Sequence, residues 1–262
     1  MKLFILAFLA QLVLVHAHYN FNTLIHEGVT FAHWQYLRKW HTSKGFFTGD
    51  DDLLPIYMRG GSGSAPPGRE KGQINTIDMR CNVNATNAPE TLEVTAGDSI
   101  GFKVAYNIGH VGPMMAYMAR VPEGKKAIEW DGDGKVWFKV YEDFPSWSPA
   151  TSFTTWPNTG ATEVHFTIPP TVPSGEYLFK VEHLALHVAY LPGGEGPQFF
   201  ITCAQLKVGG GGDGKPGPLV EMPGAYDLTD PIFNVSLDTT TEESLPREPY
   251  YHRTPGPAVW KA

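Results

Sequence analysis

Between Thr91 and Val208 the chain alternates short apolar runs with turn residues, and that rhythm restricts it to an all-β fold. Apolar or alternating stretches occur at Thr91–Thr95, Ser99–Tyr106, Met114–Arg120, Val136–Tyr141, Thr162–Ile168, Glu176–Leu186 and Phe199–Val208. Ala96-Gly97-Asp98, Gly132-Asp133-Gly134, Pro169-Pro170 and Ser174-Gly175 separate them. Several short strands broken by Gly and Pro turns predict an antiparallel β-sandwich with long loops. Two stretches interrupt the pattern. Residues 27–73 are loop-rich and predict one short helix near Phe31–Trp40. The tail opens on Gly209-Gly210-Gly211-Gly212 but ends with Tyr250-Tyr251 and Trp260, aromatics that predict a segment packed back on the domain rather than a free linker.

Residues 1–17 read as a secretory leader. Lys2 supplies the charge, Leu3 to Val15 the apolar stretch, and Val15-His16-Ala17 the small-x-small cleavage site. The apolar part is too short to span a bilayer comfortably. Residues 18–262 then predict a single domain with no separate binding module, and cleavage makes His18 the first mature residue. An N-terminal histidine carries an α-amine and an imidazole on one residue. The amine has a reference pKa of about 7.7–8.0, so a metal displaces its proton easily near neutrality. Nitrogen donors of this type favour copper over calcium or magnesium.

A formal charge of −7 argues against a nucleic-acid partner. No second apolar stretch reaches transmembrane length, so the sequence predicts a secreted, soluble protein with no membrane partner. Only Cys81 and Cys203 are present, and an oxidising compartment predicts that they pair. Closing so long a loop is worth about 4–5 kcal/mol in the chain-entropy model. Asn84-Ala85-Thr86 and Asn234-Val235-Ser236 are N-glycosylation sequons. His183-Leu184-Ala185-Leu186-His187 lacks the glutamate of a zinc-protease helix and lies in a strand-like run, where residues four apart share a face. The acids that glycoside hydrolysis would need, at Asp50-Asp51-Asp52, Asp131/Asp133 and Glu142-Asp143, fall in turns and read as solvated charges.

Motifs along essentially the whole mature chain resemble the fungal lytic polysaccharide monooxygenases of auxiliary-activity family nine. They begin with His18-Tyr19 and continue through Ile77-Asp78-Met79-Arg80-Cys81-Asn82 and His110-Val111-Gly112-Pro113. Glu182-His183-Leu184-Ala185-Leu186-His187, Gln198-Phe199-Phe200-Ile201-Thr202-Cys203, Pro223-Gly224-Ala225-Tyr226 and Pro255-Gly256-Pro257 follow in order. The resemblance implies an immunoglobulin-like sandwich and one copper held in a histidine brace. His18 would give amine and ring nitrogens, and His110 the third nitrogen. The residues matching His187 and Gln198 hydrogen-bond the oxygen species beside the copper in this family.

The implied activity is oxidative cleavage of cellulose or another β-glucan by a monomeric enzyme. Oxygen or hydrogen peroxide and an external electron donor would be consumed. Phe200 stands at the axial position where most members have tyrosine, and Lys180 where they usually have arginine. A second reading therefore stays open at this point: a secreted copper- or wall-binding protein with the brace but little oxidation. Tyr19, Tyr250 and Tyr251 are the candidate sugar-stacking residues, with His252 as an alternative in the tail.

Overall fold

The computed structural model describes residues 18–40, 53, 55–59, 73–148, 153–189, 196–234 and 254–261. The leader, Asp50-Asp51-Asp52, Tyr250, Tyr251 and His252 lie outside the described residues. The strands, in chain order, are β1 (Phe21–His26), β2 (Val29–Thr30), β3 (Ile56–Tyr57), β4 (Leu92–Thr95), β5 (Ser99–Val104), β6 (Met114–Arg120) and β7 (Lys135–Glu142). They continue as β8 (Ser146–Ser148), β9 (Phe153–Thr155), β10 (Glu163–Thr167), β11 (Gly175–Ala185), β12 (Gln198–Gly209) and β13 (Val220–Glu221). A four-residue helix, α1, spans Asp78–Cys81.

Two sheets pack face to face. One has the order β10-β5-β1-β2, and the other β13-β7-β6-β11-β12-β3. Pairing is antiparallel except that β4 runs parallel to β12, a departure from the purely antiparallel expectation. Alternation decides which faces are buried. Val164 and Phe166 of β10 point inward while Glu163, His165 and Thr167 face water. Phe21, Phe102, Phe166, Phe179, Val181 and Leu206 fill the space between the sheets.

β11 and β12 are covered on both faces. Their outer side carries a second apolar cluster with Met79, Trp130, Trp137, Leu178, Phe199 and Phe233, contributed partly by loops. Lys180 and Glu182 share that cluster, fully buried, and pair at 2.5 Å. Lys180 Nζ also donates to the Met79 carbonyl at 2.7 Å, and Tyr226 donates its hydroxyl proton to Glu182 at 2.5 Å. Burial pulls the Lys180 pKa down while Glu182 opposes the shift. Such a pair persists because its partners are supplied on every side.

The helix expected near Phe31–Trp40 does not form. Trp34 sits at φ +61°, and Leu37 bridges Ala204. Arg38 N–H donates to the Cys203 carbonyl at 2.8 Å, and Gln205 N–H donates to the Tyr36 carbonyl at 2.9 Å. The open edge of β12 therefore outcompetes local helical bonds for this backbone. Three segments cover that edge in turn: β3, then residues 36–38, then β4. The Cys81–Cys203 disulfide is formed and ties α1 to β12.

The tail does pack back where it is described. Trp260 meets Phe138 edge-on at 5.5 Å between centroids, and its N–H donates to Lys139 at 2.8 Å. The glycine run is a strap as well, because a Cβ on Gly211 would lie 2.3 Å from the Val172 carbonyl oxygen.

Candidate metal centre at one end of the sandwich

His18 lies three residues before β1, and Phe21 at the start of that strand pairs with Val104 at the end of β5. The Asn20 carbonyl accepts from Ala105 N–H at 2.9 Å, so the N-terminal segment and the loop leaving β5 share one end of the sandwich. That loop carries His110. Ile108 is pinned by bonds to Ala161 and Gly160, and Val111 and Pro113 accept from Leu186 and Leu184 at 2.9 and 3.0 Å. The His110 loop therefore continues the β6–β11 ladder. Gly112 makes this approach feasible: it adopts φ +148°, and a Cβ there would fall 1.8 Å from the Leu184 carbonyl oxygen.

Four histidines collect here among the described residues. The His18 and His110 rings meet edge-on with centroids 5.8 Å apart. His187 lies flat on His110 at 3.7 Å with planes only 3° apart. Burial, followed by repulsion from His187, His18 and His183, lowers the His110 pKa to about 3. His110 is therefore a neutral donor near neutrality, and its buried Nε2 has no hydrogen-bond partner among the described residues. A neutral, desolvated imidazole with a free ring nitrogen suits a transition-metal ion. Among the described residues no group of three or more His, Cys, Asp or Glu side chains is placed to hold a metal. A brace requires only two histidine side chains, because its third donor is a terminal amine.

Phe200 faces the same space, 6.1 Å from the His18 ring and 5.7 Å from that of His110. Gln198 opens β12 beside it and is buried, its Oε1 without a partner among the described residues. His187 does not continue the strand of His183: β11 ends at Ala185, and His187 sits in the following turn. Tyr19 corrects the sequence expectation. It is 0% exposed and stacks on Phe200 at 4.1 Å, so it presents no face to a sugar.

Two residues escaped the sequence reading. His183 is fully buried behind Tyr19, a role that a lone strand histidine does not reveal. The sequence extends a strand to Tyr106, but β5 stops at Val104 and Tyr106 stands 54% exposed at φ +71°. The acids have structural employment. Arg80 grips Asp131 and Asp133 at 2.7 and 2.5 Å, and Asp143 accepts from Met114 N–H at 2.7 Å. Burial raises the Asp143 pKa to about 6.

One end of the two-sheet sandwich thus gathers four histidines, of which His110 and His183 are neutral and buried. Comparison with known proteins makes the class specific. The sequence matches the profile of Auxiliary Activity family 9 (formerly GH61) over residues 18–245, and the chain belongs to that family. It is 43% identical over 249 residues to the AA9 family lytic polysaccharide monooxygenase C of Emericella nidulans, covering 93% of this chain and 92% of that protein. It is 40% identical over 248 residues to the AA9 family lytic polysaccharide monooxygenase H of Malbranchea cinnamomea, covering 94% and 93%. Among solved structures, a cellulose-active polysaccharide monooxygenase from M. thermophila superposes with a TM-score of 0.65 at 23% identity, covering 93% of this chain and 99% of that one. The sandwich fold agrees. Family membership makes this protein a lytic polysaccharide monooxygenase, a copper-dependent oxidoreductase that cleaves polysaccharides.

Gly112→Ala tests how the loop is held. The added methyl must displace either the loop or the β11 backbone, at a cost of about 2–4 kcal/mol. A melting temperature lower by several degrees and weakened copper binding are the expected results in calorimetry and metal titration. An unchanged melting temperature would show that the loop does not depend on this close contact.

Proposed function

We propose that the mature protein begins at His18 after secretion and removal of residues 1–17, and that it binds one copper through His18 and His110. The observation that carries this reading is the edge-on pair of His18 and His110 rings, with the His110 Nε2 buried and without a hydrogen-bond partner among the described residues. The family match beginning at residue 18 supports the cleavage point. Among the described residues no helix is long and apolar enough to cross a membrane. The His18 amine and imidazole would close one chelate ring, and His110 would add the third nitrogen. Bound there, copper would supply one-electron chemistry toward oxygen or hydrogen peroxide, drawing on an external electron donor.

The chain's own residues shape what surrounds the metal. Phe200, beside both the His18 and His110 rings, would face the bound copper with a ring that can neither ligate nor hydrogen-bond. His187 lies against His110, and Gln198 pairs with Ala185 two residues before His187; in this reading both would hydrogen-bond an oxygen co-substrate and move a proton to or from it. Asn84 and Asn234, both exposed, are the glycan acceptors of this reading. Arg59 already donates to Asn234 Oδ1 at 2.7 Å, which leaves the amide nitrogen for a sugar.

The substrate is cellulose or a related β-glucan. A crystalline polymer cannot enter a pocket, so recognition has to occur on the sandwich end itself. Tyr106 replaces Tyr19 as the described stacking candidate. Its loop is tied to Asn20 through Ala105, it lies four residues before His110, and it is exposed at a positive φ rarely adopted by aromatic residues. Tyr250 and Tyr251 stay in the proposal as tail contributors.

Incubation of the copper-loaded protein with cellulose and a reductant should release oxidised oligosaccharides detectable by mass spectrometry, and the metal-free protein should release none. Equal products without copper would refute the reading. His187→Ala and Gln198→Ala should lower turnover about 100-fold, the scale of a lost proton-transfer partner, with copper affinity largely retained. A fall in melting temperature with unchanged activity per folded molecule would assign both residues to structure instead. Tyr106→Ala should weaken retention on insoluble cellulose about 2- to 12-fold, the equivalent of about 0.5–1.5 kcal/mol of stacking. Unchanged retention would remove Tyr106 from the binding surface.

A further inference from the structure

His183 links both ligand-bearing segments without touching either ligand through a hydrogen bond. It is fully buried in β11, and its ring has a partner on each nitrogen. Nε2 lies 3.1 Å from the Gly112 carbonyl oxygen, and Nδ1 meets the Tyr19 hydroxyl. The direction of both bonds follows from elementary chemistry. A carbonyl oxygen only accepts, so Nε2 carries the proton. Burial lowers the His183 pKa to about 3, so the ring is neutral and Nδ1 has a lone pair. Tyr19 must therefore donate its hydroxyl proton to Nδ1. The chain of bonds runs one way, from Tyr19 through His183 to Gly112.

Its ends matter. Tyr19 is peptide-bonded to His18, and Gly112 is two residues beyond His110. Along the extended loop, Val111 and Pro113 turn their carbonyls to the β11 backbone while the intervening Gly112 carbonyl points the other way, into the interior. There it would be a buried acceptor without the His183 ring. Tyr19 is held on its remaining side by stacking on Phe200. The imidazole thus sets the spacing between the segment entering β1 and the loop leaving β5.

We propose that His183, acting with Tyr19, is a positioning residue for the copper site, holding the two ligand-bearing segments at the separation a histidine brace requires. The proposal rests on the assignment of His18 and His110 as ligands. Groups that orient metal ligands from outside typically change metal affinity about 10- to 100-fold. Because this link acts through backbone, the low end applies.

The test is copper titration of the apo-protein together with the paramagnetic resonance spectrum of the Cu(II) form, with thermal unfolding of the apo-protein as the folding control. Tyr19→Phe deletes one hydroxyl and keeps the stack on Phe200. It should weaken copper binding about tenfold and alter the copper hyperfine splitting, with little change in melting temperature. His183→Leu should do the same or more, and the double variant should be no worse than His183→Leu alone, because the two side chains act as one link. Where His183→Leu fails to fold, Tyr19→Phe alone decides. Wild-type affinity and an unaltered spectrum in Tyr19→Phe would overturn the proposal, as would a loss of melting temperature with the spectrum unchanged. His110→Ala separates the two assignments: wild-type copper binding in that variant would refute the ligands themselves, whereas its loss alongside an unaffected Tyr19→Phe would refute only the positioning role.

Discussion

The contact on which the site depends is the approach of the Gly112 backbone to the Leu184 carbonyl of β11. No side chain fits between them. Because the two backbones nearly touch, the loop leaving β5 can extend the ladder of the large sheet, and His110 comes to lie against His187. A loop held by side chains alone would tolerate an ångström of drift. One held by backbone hydrogen bonds into a doubly covered strand does not. The same strand holds His183 and, on its opposite face, the Lys180–Glu182 pair, so β11 is the rigid element from which the end of the sandwich is built.

That rigidity has a source in the rest of the fold. β12 is the companion of β11 over its whole length, and its far edge is closed by three separate segments and by the disulfide to Cys81. The stretch at 36–38 forgoes helical turns for bonds to Cys203 and Gln205. The outcome is a sheet centre buried on both faces, in which most of the large polar and charged side chains meet partners. Lys180, Glu182, His183 and Arg38 all fit that description. Arg38 spends its guanidinium on the Ala127 and Trp130 carbonyls at 2.6 and 2.5 Å.

Much of this was legible in the sequence, and for identifiable reasons. Period-two alternation marked the strands that face water on one side, and Gly and Pro marked their ends. The paired cysteines and the packed tail also followed from residue chemistry. What escaped were contacts between residues distant in the chain. Nothing local distinguishes Phe31–Trp40 as an edge-covering segment, because the bonds that decide it come from β12. Tyr19 was read as exposed because it adjoins a metal ligand. Its burial depends on Phe200 and His183, residues far away in sequence. Tyr106 looked like a strand residue until the chain turned two positions early.

The histidine brace requires that His18 ligate through its terminal amine as well as its ring. The most direct measurement compares the Cu(II) paramagnetic resonance spectrum of protein beginning at His18 with that of protein carrying one extra alanine before it. A brace gives nitrogen couplings from three donors and tight one-to-one binding in the first. In the second, where the amine has moved away from its imidazole, a changed spectrum and much weaker binding follow. Identical spectra and affinities for the two proteins would contradict the brace.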